Sequence, residues 1–351
     1  MRLSIIKKHS LLISLAAIGL AIIATSCGGD ETDSGAPGGD TGRVRVVASI
    51  YPLEFFTEQV GGDRVQVDGI VPAGGDAHNF EPTPGDLRNI AAADLIVYNG
   101  LGFESWVDAL LDAGDAPDAA VQASSESIAL HFDINEITHD PDHDPGHDDG
   151  ELEALHFDTN EITPDPDHDP GHDDGELDPH MWLDPLLAVT QVRAITDGLT
   201  KIDPEGGSTF SANSDVLIAQ LTALDARYTV AFESCAGDTF VTSHDSFNYL
   251  AARYDINAVG IGGINPESQP SPRALATLSD AIKDTGIRYV LVSPIDSERL
   301  SDTLARETGA NTLPLHTIQN LTRDQIDAGE TYFSLMEFNL ESLVTAMDCV
   351  R

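Results

Sequence analysis

The sequence predicts an α/β protein of two lobes, each a mainly parallel sheet covered by helices, joined by a long backbone helix. Short β-rich apolar runs alternate with segments of helical spacing from residue 43 onward, and the same alternation resumes after residue 234. Between them Phe210, Val216-Leu217, Leu221, Leu224 and Tyr228 recur at mostly helical intervals. Beyond the N-terminal 42 residues about 300 remain, enough for two lobes with a core each.

The elements follow in order. Val44 to Ser49 is a β-rich run, Leu53 to Val60 has helical spacing and ends at Gly61-Gly62, and Val65 to Val71 is a second strand. Thr83 caps a proline-led helix through Ala93, and Asp94 to Tyr98 is a short buried strand. The alternation continues through Trp106 to Leu111, in an N-terminal lobe over 43–203. Residues 204–233 form the linking helix. In the C-terminal lobe, 234–351, strands are expected at Thr239–Ser243, Ala258–Ile264 and Tyr289–Ser293. Helices are expected at Phe247–Tyr254, Ser271–Thr285, Leu300–Thr308 and Tyr332–Met347.

The N-terminus carries an address. Arg2, Lys7 and Lys8 precede an apolar stretch from Leu11 to Ala24, too short for a comfortable membrane span, which reads as a signal peptide over 1–26. Ala24-Thr25-Ser26-Cys27-Gly28 resembles a bacterial lipobox, with Ala24 where leucine is usual, and implies a lipid anchor on Cys27. An ordinary signal peptide with Cys27 incidental is the alternative. Residues 27–42, rich in Gly, Asp, Ser and Thr, have almost nothing to bury and are expected to be a flexible tether.

With 59 acidic against 18 basic residues the formal charge is −41, which excludes nucleic acid as a partner. The balance suits a salty environment or a cation-attracting surface. Besides Cys27 the cysteines are Cys235 and Cys349. In an oxidising exported compartment an isolated pair is expected to be a disulfide, the alternative being two buried thiols.

A tandem duplication interrupts the first lobe. The segment from His131 to Leu155 recurs almost unchanged from His156 to His180, with histidines at 131, 139, 143, 147, 156, 168 and 172 and no Lys or Arg before Asp178. Its Asp, Pro and Gly content cannot bury a core, so residues 131–177 are expected to be a disordered loop. It is either a low-affinity metal collector or a solvated acidic insertion enlarged by replication slippage, and the two are compatible.

Three histidines stand apart from that loop: His78 in Asp76-Ala-His-Asn-Phe-Glu-Pro, His180 in Asp178-Pro-His-Met-Trp-Leu-Asp-Pro, and His244 in Ser243-His-Asp-Ser-Phe-Asn-Tyr-Leu. Each lies at a strand-to-loop junction, where α/β sheets gather ligand-binding loops. Neutral imidazole is the commonest transition-metal ligand, so together they suggest a metal site. No His-Glu-x-x-His helix, Gly-x-Ser-x-Gly turn or Gly-Lys-Ser/Thr phosphate loop occurs, and nothing else points to an enzyme.

Those segments, with Ile50-Tyr51-Pro52, Asn99-Gly-Leu-Gly-Phe-Glu-Ser-Trp106 and Pro266-Glu-Ser-Gln-Pro-Ser-Pro272, resemble the metal-cation solute-binding lipoproteins of ABC importers, the ZnuA/AdcA/TroA group (cluster A-I), zinc type. The resemblance implies a metal site between the lobes. It implies His78 and His180 as ligands from the first lobe and His244 from the second, where manganese or iron members often carry Glu. Nitrogen-rich coordination suits Zn(II). For the fourth position His316, in Leu313-Pro-Leu-His, is the candidate, with Asp296 or a water as alternatives. The function implied is high-affinity capture of Zn2+ outside the cytoplasmic membrane, as a monomer, and delivery to an ABC permease with a cytoplasmic ATPase. The protein would be lipid-anchored to the outer face of that membrane or periplasmic. A manganese or iron binder, or a metal-binding surface adhesin, are the alternatives.

Overall fold

The structure is a computed structural model, and it describes residues 42–113, 119–124, 131–132, 176–260, 282, 286–295, 303, 305–307 and 309–350. The signal peptide, Cys27, the tether, loop residues 133–175, Asp296, nearly all of the segment expected as a helix at Ser271–Thr285 and much of that at Leu300–Thr308 lie outside the described residues.

The first sheet contains β1 (Val44–Ala48), β2 (Val65–Gly69), β3 (Leu95–Tyr98) and β4 (Ala120–Gln122), ordered β2-β1-β3-β4 and parallel throughout. Its helices are α1 (Tyr51–Gly61), α2 (Pro84–Ala91) and α3 (Ser105–Ala113). Parallel strands need such crossovers, and the apolar run of β3, buried at every position, is what a strand covered on both faces requires. Thr83 starts α2 as expected: its side chain accepts from the Asp86 backbone N–H while the Asp86 carboxylate accepts from Thr83 N, a complete capping box. A two-residue antiparallel ladder, β5 (His131–Phe132) with β6 (Glu176–Leu177), closes the base of the duplicated segment just before His180.

Two helices follow, α4 (Pro185–Ile202) and α5 (Gly207–Phe232). Asp184 caps α4 by accepting from the N–H groups of Leu186 and Leu187, with proline in the first turn where no donor is needed. The α5 helix has 26 residues, which at 1.5 Å per residue is about 39 Å. Asn213 near its start donates to Val60 O at the end of α1 (2.9 Å). The second sheet holds β7 (Thr239–Thr242), β8 (Asn257–Gly260), β9 (Tyr289–Val292) and β10 (Asn311–Pro314), again all parallel, in the order β10-β9-β7-β8. The helices described in full beside it are α6 (Asn248–Tyr254), α7 (Arg323–Ala328) and α8 (Tyr332–Ala346). At the far end of α5, Tyr228 donates to Met336 O in α8 (2.6 Å). The long helix is therefore fastened to both lobes.

One continuous apolar cluster links Val46 and Leu53 through Trp182, Leu217, Leu221 and Tyr228 to Tyr332, Met336 and Leu343. Cys235 and Cys349 form a disulfide, tying the C-terminus to the end of α5. β4 and β10 were not legible as strands. β4 has three residues, and β10 ends in Pro314, which is tolerated because β10 lies at the sheet edge.

Candidate metal centre

Both sheets present their strand C-termini to one region. The chain leaves β2 into the loop bearing His78, and it leaves β7 directly into His244. His180 begins a single 3-10 turn, Met181–Leu183, whose side chains are all buried. Two of the segments share a local device. In Asp76-Ala-His78 and in Asp178-Pro-His180 the Asp Oδ1 accepts the backbone N–H of the histidine two residues on, at 3.0 and 2.9 Å. The short carboxylate thus sets the backbone from which each imidazole projects.

The three rings converge. Nε2 of His180 lies 3.2 Å from Nε2 of His78 and 3.2 Å from Nε2 of His244. Ligand nitrogens about 2.0–2.1 Å from a tetrahedral zinc stand about 3.3 Å apart, so this spacing matches that geometry. Among the described residues His78, His180 and His244 are the one group of His, Cys, Asp or Glu whose ligand atoms gather closely enough to hold a metal ion. His180 is fully buried and His244 is 3% exposed, while His78 is half-buried at the opening.

Around the nitrogens the wall is aromatic. The Phe103 ring sits 4.3 Å from that of His78 and packs edge-on against Trp182, which in turn contacts His180 at 5.2 Å. Burial, reinforced by repulsion from His180 and His244, pushes the His78 pKa far below that of free imidazole, so the ring is neutral with a lone pair available. Asp178 Oδ1 lies 2.8 Å from Nδ1 of His180 and accepts its N–H, which leaves the Nε2 lone pair facing the other two rings. Asp245, buried beside His244, is pushed up to about 7 by desolvation and by the neighbouring Asp178 charge. A dication between the rings would oppose the upward shift of Asp245 and hold His78 neutral.

His316, the sequence candidate for a fourth ligand, is not brought into this group. It follows the edge strand β10, where successive side chains point to opposite sides. Leu315 and Thr317 line the small cavity beside His244, whereas the His316 ring packs on Phe338 and its Nδ1 is 3.0 Å from the Gln325 amide nitrogen. Sequence reasoning also passed over Phe103 and the Asp178 carboxylate. The Asp-x-His pattern common to the first two segments was the available signal for Asp178. Nothing local marked Phe103, which acts through packing between distant segments.

Comparison with known proteins agrees with this geometry. The family model for ZnuA, the periplasmic zinc-uptake complex component A, matches residues 46–346. The chain belongs to this family. It is 34% identical over 338 residues to the high-affinity zinc uptake system protein ZnuA of Bacillus subtilis (strain 168), covering 96% of this chain and 97% of that protein. It is 32% identical over 307 residues to the zinc-binding lipoprotein AdcA of Streptococcus pneumoniae serotype 4, and there the match spans 88% of this chain but only 56% of the relative. The crystal structure of the Zn(II)-bound ZnuA-like domain of Streptococcus pneumoniae AdcA superposes with a TM-score of 0.68 at 30% identity, over 88% of this chain and all of that domain. ZnuA-family proteins are extracytoplasmic solute-binding components of transport systems. Among the described residues of this member no helix is long and apolar enough to cross a membrane.

Proposed function

We propose that this chain captures Zn(II) outside the cytoplasmic membrane on Nε2 of His78, His180 and His244 and releases it to an ABC-type permease. The observation that carries the reading is the convergence of three imidazole nitrogens at tetrahedral spacing in a pocket walled by Phe103 and Trp182. Three nitrogens favour Zn(II) over Mn(II), both by ligand softness and by the Irving–Williams order. Permease delivery and the Cys27 anchor extend the reading, supported by the zinc-uptake name of one relative and by the lipoprotein name of another. A binder rather than an enzyme is supported by the zinc-uptake and zinc-binding names of the family and the relatives.

The test is isothermal titration of the chelator-stripped chain with Zn(II) and Mn(II), in parallel with a variant in which residues 133–175 are replaced by a short glycine turn. One tight zinc site that survives the replacement, with weak manganese binding, is the expected result. Loss of tight binding with the loop would move the site to the duplicated segment and overturn the assignment.

A further inference from the structure

One short segment of the second lobe touches all three ligand-bearing segments while contributing none of the three converging nitrogens. Residues 315–321 follow β10 and cross to the first lobe. Leu315 N–H donates to Val292 O (2.9 Å), extending the sheet register. Next, the fully buried Asn339 clamps His316 from both sides, accepting its N–H on Oδ1 (2.7 Å) and donating Nδ2–H to its carbonyl (2.8 Å).

Beyond this clamp, besides the Tyr51 N–H that donates to Gln319 O (3.1 Å), the segment reaches all three histidine-bearing segments. The Thr317 carbonyl accepts the indole N–H of Trp182 (2.7 Å), two residues after His180, and Leu315 and Thr317 line the cavity beside His244. Gln319 donates from Nε2 to Asp76 Oδ1 (3.4 Å), the oxygen that accepts the backbone N–H of His78. Asn320 donates from Nδ2 to both Pro72 O (2.6 Å) and Gly75 O (2.8 Å), its Oδ1 being held by Leu321 N–H, while Leu321 O accepts from Gly74 N (2.8 Å). The loop carrying His78 is thereby gripped at four points by the other lobe.

Backbone strain marks the same place. Ile318 has φ +57°, a left-handed conformation that is a clear outlier for a β-branched residue and persists only where the surroundings over-determine it. The hydrogen bonds on either side supply that constraint.

We propose that residues 315–321 are a positioning strap, in which Gln319 and Asn320 hold the His78 loop at the spacing a tetrahedral ion requires. The inference rests on the three-histidine reading. Without the strap, the His78 loop would keep its internal turns and the Phe103 contact but lose its hydrogen bonds to the other lobe, and the ion would be bound by two well-placed nitrogens and one less firmly placed one. Residues that orient metal ligands typically govern about 10–100-fold of affinity.

The test uses two variants, Asn320→Asp and Gln319→Met, beside wild type and His78→Ala. Asn320→Asp keeps the acceptor for Leu321 N but turns the donor toward two carbonyls into an acceptor. Gln319→Met removes the Asp76 contact with little change of volume, and guards against a folding failure of the first variant. Readouts are zinc affinity by chelator competition, the visible absorption of the Co(II)-substituted protein, and the apo melting temperature. Expected for both variants is at least a tenfold loss of zinc affinity with a shifted or weakened Co(II) spectrum, beyond anything a lowered melting temperature explains. Wild-type zinc affinity and an unchanged Co(II) spectrum in both variants, with His78→Ala impaired, would overturn the strap alone. An unimpaired His78→Ala would overturn the underlying site as well.

Discussion

Asp178 and His180 form a unit: one buried carboxylate oxygen takes both the main-chain N–H and the ring Nδ1–H of the histidine, at 2.9 and 2.8 Å. Its other oxygen accepts from Asn248 (3.1 Å), and its carbonyl accepts from Tyr249 (2.6 Å), so the second lobe holds the residue that orients His180. Asp178→Asn should weaken zinc binding about 10–100-fold, because an amide no longer fixes the tautomer or raises the basicity of the imidazole. Competition with a chromophoric chelator checks this. Wild-type affinity would mean that packing against Trp182 alone orients the ring.

Zinc should raise the stability of the domain in proportion to the logarithm of its free concentration. At a thousandfold excess over the dissociation constant the gain is about 4 kcal/mol. A chelator should reverse it, and His244→Ala should abolish most of it. Differential scanning calorimetry at buffered zinc concentrations measures the effect, and a melting point indifferent to zinc would contradict the site.

Acidification should act on the metal-free protein through His316. Burial lowers its pKa from 6.5 to about 4 against an opposing pull from Glu330. The unfolded chain takes up a proton at this residue near pH 6.5 and the folded chain only near pH 4, so the stability it contributes is complete above the unfolded value and is lost as pH falls between the two. Relative to His316→Asn, wild type should lose up to about 3 kcal/mol from pH 7 to pH 4. Urea unfolding at a series of pH values checks this. Zinc affinity should change less than about threefold in the same variant, because its ring lies outside the cluster; a large drop would place His316 among the ligands after all.

Cys235 and Cys349 close a loop with a sequence separation of 114. Cys349→Ser with Cys235→Ser should cost about 4 to 5 kcal/mol on the chain-entropy account. Zinc affinity should be nearly unaffected, since the bridge lies at the end of α5 and not near the histidines. Chemical denaturation and zinc titration of the double variant separate the two expectations; a variant of wild-type stability would contradict the first.

The sequence by itself determined the elements whose cause is local. Short apolar runs marked β1, β3, β7 and β9, the Thr83 cap and its proline marked α2, and mostly helical intervals marked α5, which begins at Gly207 rather than at 204. His78, His180 and His244 were legible because each sits in a short segment of distinctive chemistry and because those segments resemble one family. Packing of the whole chain was needed to show how the three rings meet, that Asp178 orients His180, that His316 turns toward Gln325, and that residues 315–321 bind the lobes together beside the three histidines. Those outcomes depend on which side of an edge strand faces the cavity and on hydrogen bonds between residues as far apart as Pro72 and Asn320. A periodic pattern encodes a local preference for burial, whereas a direction in space is fixed only when the sheets, the long helix and their shared core have packed.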